Sequence, residues 1–166
     1  MSSAEVEPGL GITDSDIVLM FAADFAEPQD DGYQAPCSEA QVKLTSLVRE
    51  MLTTAFVSLA KSGIIQMKIG KQKRLFSERQ TLFVTRAGDP SVTSGGLEGA
   101  ILAHLTSQER QDSVRYVIGR VVGSTTIEPY SAILEISLEN ACRAGYFRQQ
   151  ERTGTAAFLG KRTLPR

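Results

Sequence analysis

Tryptophan is absent from this chain, histidine occurs once, at His104, and cysteine twice, at Cys37 and Cys142. So few imidazole and thiol groups argue against a zinc site, and no His, Cys and acid cluster has the spacing of a catalytic centre. Long apolar runs are also missing. The stretch from Ile17 to Ala23 falls far short of the ~20 residues that span a bilayer. Residues 1 to 40 lack Lys and Arg, where a secretory signal would carry its positive start. A cytosolic protein without a transmembrane segment or a disulfide is therefore expected.

Phosphate-loop chemistry is excluded on similar grounds. The run Gly88-Asp89-Pro90 through Ser94-Gly95-Gly96-Leu97-Glu98-Gly99 is rich in glycine, but no Gly-Lys-Ser/Thr ending or dinucleotide fingerprint follows. It reads as a turn and a helix cap. Glu135 and Glu139 share a helical face as acids of solvated helices commonly do, and His104 has no acid or nucleophile at suggestive spacing. No catalytic residue, metal ligand or cofactor is expected.

The 166 residues are 42% hydrophobic, enough for one compact domain with a real core. Net charge is −1, yet it is unevenly spread. Residues 1 to 40 hold nine acids, whereas residues 61 to 86 hold seven bases and one acid, Glu78. This asymmetry suits either a basic surface for an anionic partner or an acidic arm folded over its own basic face.

One piece of local grammar occurs twice. Leu59-Ala60-Lys61-Ser62-Gly63-Ile64-Ile65 and Ala141-Cys142-Arg143-Ala144-Gly145-Tyr146-Phe147 each close an amphipathic run with a base, a glycine and β-forming residues. Glycine just past a helix supplies a left-handed residue, and the base suits the negative helix end. Each copy predicts a helix followed by a hairpin, the skeleton of a winged helix. The expected fold is mainly α with small β-hairpins, an α+β domain over 13–166 preceded by a flexible acidic arm, 1–12. Its two winged-helix-like units span about 38–86 and 107–160.

In more detail, Thr13 caps a short helix with the apolar stripe Ile17, Val18, Met20, Phe21 and Phe25. Residues 26 to 37 read as a loop. Ser38-Glu39-Ala40-Gln41 has capping-box spacing and opens a long helix. After Gly63 a strand is expected, turning at Gly70-Lys71 into strands at Leu75-Phe76 and Leu82-Phe83-Val84. Helices are then expected from Gly96, from Ser107 to Gly123, and from Thr125 or Thr126 to Gly145. A second hairpin should cover Tyr146 to Leu159, turning near Thr153-Gly154. The first hairpin carries Lys68, Lys71, Lys73, Arg74 and Arg79, and alternate strand positions could project several of these toward one anionic partner. Such a patch could grip lipid headgroups, an acidic protein or nucleic-acid phosphates.

Three stretches resemble the Golgi phosphoprotein 3-like family. They are Ala55 to Met67, Gly88-Asp89-Pro90 to Leu97-Glu98, and Ala141 to Gly160, within a trace that begins at Ile12-Thr13-Asp14-Ser15-Asp16. The resemblance implies a mostly helical domain built around winged-helix-like units. It also implies a non-enzymatic adaptor at the cytoplasmic face of membranes, where family members bind a phosphoinositide. The family's lipid pocket uses a tryptophan and arginines; Ser131 and Leu134 stand at two of those arginine positions, and Arg49 is the nearby base. The layout is also similar to the paired winged-helix domains of certain bacterial membrane proteins. The alternative role is a winged-helix regulator with Lys71, Lys73 and Arg74 on nucleic-acid phosphates.

Overall fold

The computed structural model describes residues 11–75, 77–89, 91–105, 111–123 and 128–147. They form an α+β fold of six helices with one two-stranded and one three-stranded antiparallel sheet.

Helix α1, Asp14–Met20, starts as expected: the Thr13 hydroxyl accepts from the Asp16 amide, and the Asp16 carboxylate accepts from the Thr13 amide. A second short helix, α2, covers Ala22–Phe25. The expected apolar stripe faces the core only in part: Val18 is buried and Met20 packs against the core. Ser15, Asp16, Val18, Leu19 and Ala22 are buried, whereas Ile17, Phe21 and Phe25 are exposed. Residues 15, 18, 19 and 22 share one helical face, and drawing Ser15 and Asp16 inward turns Ile17 and Phe21 outward.

The expected loop from 26 to 37 contains a strand, β1 (Pro28–Gln34), paired with β2 (Gln41–Val42) across an irregular register. The capping box at Ser38 is not formed. Ser38 instead turns its hydroxyl to the Ala40 amide at 3.0 Å, inside a tight loop closed by Ala35 N–H to Ala40 C=O at 3.0 Å. The long helix α3 therefore begins later, at Leu44–Lys61, with Lys43 as its cap.

Both glycine-terminated helices close as their sequence demands. After α3, the Gly63 amide donates to Ala60 C=O and the Ile64 amide to Leu59 C=O, each at 3.0 Å. After α6 (Pro129–Arg143), the Gly145 amide donates to Cys142 C=O at 3.1 Å and the Tyr146 amide to Ala141 C=O at 2.9 Å. These paired bonds define a Schellman end, and both glycines sit at positive φ, 71° and 83°. Beyond Gly63 the hairpin β3 (Ile65–Arg74) and β4 (Ser77–Arg86) follows in full register. The second hairpin, beyond Phe147, lies outside the described residues, as does the arm over 1–10.

The first hairpin is longer than its sequence suggests. Its turn lies between Arg74 and Ser77, so the strand runs straight through Gly70 and Lys71, and Leu75 belongs to the turn. Gly70 is a strand glycine for a steric reason: a Cβ there would stand 2.9 Å from the Phe83 ring. The aromatic ring fills the space that a turn glycine would have left open.

Helix α4 spans Gly96–His104, and strand β5, Asp112–Ser113, adds to β4 opposite Phe83 and Val84. Helix α5, Val114–Val122, starts at a Ser113 cap rather than at Ser107 and ends at Gly123. Residues 106–110 and 124–127 lie outside the description, and α6 begins at Pro129, a residue suited to a first helical turn. Helices α1, α3, α4 and α6 enclose a core whose fully buried members include Leu19, Leu47, Met51, Leu97 and Ile101. Val117 adds α5 to that core, and Ile65 and Val84 anchor the base of the hairpin in it. The outer part of the hairpin therefore projects from a fixed root.

Candidate anion-binding surface and cleft

Register decides what the hairpin can display. Residues opposite one another share a face, and faces alternate along each strand. Lys71 and Lys73 stand on one face, beside Glu78, Gln80 and Leu82. Lys68 and Arg79 stand on the other, beside Gln72, Thr81 and Phe83, and Arg74 occupies a backbone position of that second set opposite Ser77. The expected cluster is thus split between two faces.

On the first face Glu78 lies opposite Lys73 and within 3.6 Å of the Lys71 ammonium. Both side chains of that ion pair are well exposed, so it contributes little to stability. Nearer the root the same face carries the apolar pair Ile69 and Leu82. Ile69 is 69% exposed, Leu82 is also exposed, and Leu75 at the turn is 94% exposed.

On the other side of β4 the structure forms a cleft that sequence reasoning missed. It encloses about 790 Å³ between the outer half of β4 and the first turns of α5. Arg79, Arg115 and Arg120 line it, together with Gln72, Thr81, Ser113 and Tyr116, with no carboxylate among the described lining residues. Arg120 donates to the Tyr116 hydroxyl at 3.0 Å and lies 5.8 Å from its ring centroid. Arg79 and Arg115 have no carboxylate partner among the described residues. The one signal in the sequence was the Tyr116/Arg120 spacing of four, which puts both on one helical face. Nothing there indicated that β4 would approach that face.

Gly119 also lines this cleft, and a Cβ added to it would meet nothing within 4 Å. Because Gly is the poorest helix former after proline, Gly119→Ala is expected to stabilise the chain by about 0.5–1 kcal/mol. A thermal or urea melt that shows no gain would mean that α5 is not helical at that point.

Other candidates resolve into structure. Asp89 fills its own glycine-rich turn: its carboxylate accepts from the Ser91 hydroxyl at 2.6 Å and the Ser91 amide at 2.8 Å. These bonds hold the Asp89 carboxyl below its ordinary range. At the head of α4, Glu98 already engages the start of α1, so that terminus carries a carboxylate of the chain itself. His104 is half-buried in the last turn of α4. Glu139 bonds Arg143 at 3.5 Å, and Glu135 is exposed. Cys37 and Cys142 are both free thiols, and burial pushes the Cys37 thiol up. Among the described residues no group of three His, Cys, Asp or Glu side chains is placed to hold a metal ion, and no helix is long and apolar enough to cross a membrane.

Three acids of the N-terminal third have partners of their own. Asp14 accepts from the Ser58 hydroxyl at 2.6 Å, Asp16 from Asn140 at 2.6 Å, and Glu27 bonds Lys43 at 3.2 Å. Each of these contacts lies on α1, α3, α6 or β2 and its flanks, away from the outer hairpin. Comparison of the chain with family models, with curated proteins and with solved structures finds no match.

Proposed function

We propose that the chain is a non-enzymatic adaptor, resembling the Golgi phosphoprotein 3-like family, that contacts an anionic membrane surface through the tip of hairpin β3–β4. One observation carries this reading: Leu75 at the hairpin turn is 94% exposed, with Lys73 and Lys71 close behind it on one face. The Leu75 side chain can enter the headgroup boundary while the lysines behind it meet lipid phosphates. The firm root in Ile65 and Val84 gives the projecting tip a fixed direction. In this reading the protein works at the cytoplasmic face of a membrane as a peripheral component.

Sedimentation with phosphatidylcholine vesicles, with and without phosphatidylserine, tests it. Binding should require the anionic lipid and weaken as salt rises. Leu75→Asp is expected to reduce partitioning about tenfold, the equivalent of losing one inserted leucine. The double variant Lys71→Glu/Lys73→Glu should lose a further factor of at least about thirty, from roughly 1 kcal/mol per cation near the surface. No binding to either vesicle, or binding indifferent to Leu75, removes the membrane reading. Salt-sensitive binding of duplex DNA without vesicle binding would favour the alternative, a winged-helix protein with Lys71, Lys73 and Arg74 on phosphates.

A further inference from the structure

We infer that the arginine-lined cleft beside α5 receives an extended acidic peptide, which adds as a strand to the uncovered edge of β4. This inference is independent of the membrane reading, which concerns the hairpin tip.

Strand β4 is paired along its whole length with β3, and on its other edge β5 covers Phe83 and Val84. The chain leaves the sheet at Ser113 because that residue caps α5, its hydroxyl accepting from the Tyr116 amide at 3.2 Å. The strand position that β5 would have continued to fill is therefore vacated. From Ser77 to Leu82 no strand among the described residues covers the edge of β4. Alternate residues of that stretch turn their N–H and C=O groups toward the vacated position.

The cleft lies on this edge. Four consecutive residues of β4, Arg79, Gln80, Thr81 and Leu82, line it, although neighbours in a strand point to opposite faces. Only an opening along the strand edge touches both faces at once. Six residues of edge give about 20 Å of strand, room for an added segment of similar length. The sign of the partner follows from the walls: Arg79 on the strand side and Arg115 and Arg120 on the helix side, with no acid between them. Main-chain pairing would supply the attachment, and carboxylates at alternate positions of the peptide would meet the guanidinium groups.

The test uses the full chain and a fluorescein-labelled peptide of about eight residues alternating glutamate with valine, read by anisotropy. Binding should weaken with salt, and Arg79→Glu/Arg115→Glu should weaken it at least tenfold, as expected for reversing charges in the contact. Gly119→Phe should block it while leaving the circular dichroism spectrum unchanged, because space is open at that Cβ. Two further peptides, N-methylated at odd or at even amides, separate strand addition from simple charge attraction. One pattern should abolish binding and the other should preserve it. Equal binding of both, binding unaffected by the arginine reversals, or no binding of the unmodified peptide overturns the proposal. So does the displacement of nothing but pyrophosphate from the cleft, which would mark a small-anion site.

Discussion

Glu98→Ala is expected to destabilise the fold by about 4 kcal/mol, measured by urea denaturation. Glu98 is 3% exposed, and its carboxylate accepts two bonds from one residue of another helix, the Ser15 amide at 2.9 Å and the Ser15 hydroxyl at 2.6 Å. Ser15 is itself buried, so alanine would leave its amide and hydroxyl without acceptors, each at about 1–3 kcal/mol, with a cavity in addition. No Lys or Arg pairs with this acid among the described residues. Its compensation comes from two helix N-termini, since Glu98 stands in the first turn of α4 and bonds into the first turn of α1.

The neighbouring network is built in the same way. Asp16 accepts from the Thr13 amide at 3.0 Å and from Asn140 of α6 at 2.6 Å, so α1, α4 and α6 are tied by polar contacts at one buried junction. Glu98→Gln should cost only about 1–2 kcal/mol, because an amide oxygen still accepts from the Ser15 amide. A Ser15→Ala/Glu98→Ala double-mutant cycle should give about 1–2 kcal/mol of coupling. A loss below about 1 kcal/mol for Glu98→Ala would show that solvent reaches the junction and replaces the lost acceptor. Total stabilities of domains run to about 5–15 kcal/mol, so the expected loss would be visible at ordinary temperatures.

Arg86→Met should cost about 3 kcal/mol. Arg86 ends β4, is 8% exposed, and spends its guanidinium on backbone carbonyls: Val92 at 2.7 Å, Leu102 at 3.3 Å and Asp89 at 3.4 Å. It thereby straps the turn after the hairpin to the end of α4. Bonds from a charged donor are worth about 1.5–3 kcal/mol each, less where Val92 and Asp89 are open to solvent. Methionine keeps the apolar stem and removes every donor. Arg86→Lys should recover about half, since an ammonium cannot span three carbonyls as a planar fork does. Faster hydrogen exchange at the Val92 amide, which donates to Asp89 C=O at 3.1 Å, would locate the damage in the turn. A loss below about 1 kcal/mol would mean that the turn holds itself.

Some of this was legible in the residues. Gly63 and Gly145 were identifiable as helix ends, and the Thr13 cap as a helix start, because each motif closes within six residues. The turn of the first hairpin was misplaced because Gly70 looks the same whether it reverses the chain or makes room for Phe83. The capping box at Ser38 failed because a serine hydroxyl serves a loop amide as readily as a helical one. For the binding surface, the cations of the hairpin were all found, but their division between two faces depended on where the turn lay. A shift of one residue in register exchanges the faces. The charge count therefore overstated the patch, while Arg115 and Arg120 were not singled out.

By itself the sequence determined the α+β class, the two glycine-closed helices and the cationic character of the first hairpin. All of these arise from backbone preference and charge within a few consecutive residues. Only the tertiary structure decided that Ser15, Asp16 and Glu98 are buried, that Ile17 and Phe21 face outward, and that β4 meets the arginines of α5 along an edge no described strand covers from Ser77 to Leu82. Those outcomes depend on which distant element supplies a hydrogen-bond partner or withdraws one, and local spacing carries no record of that choice.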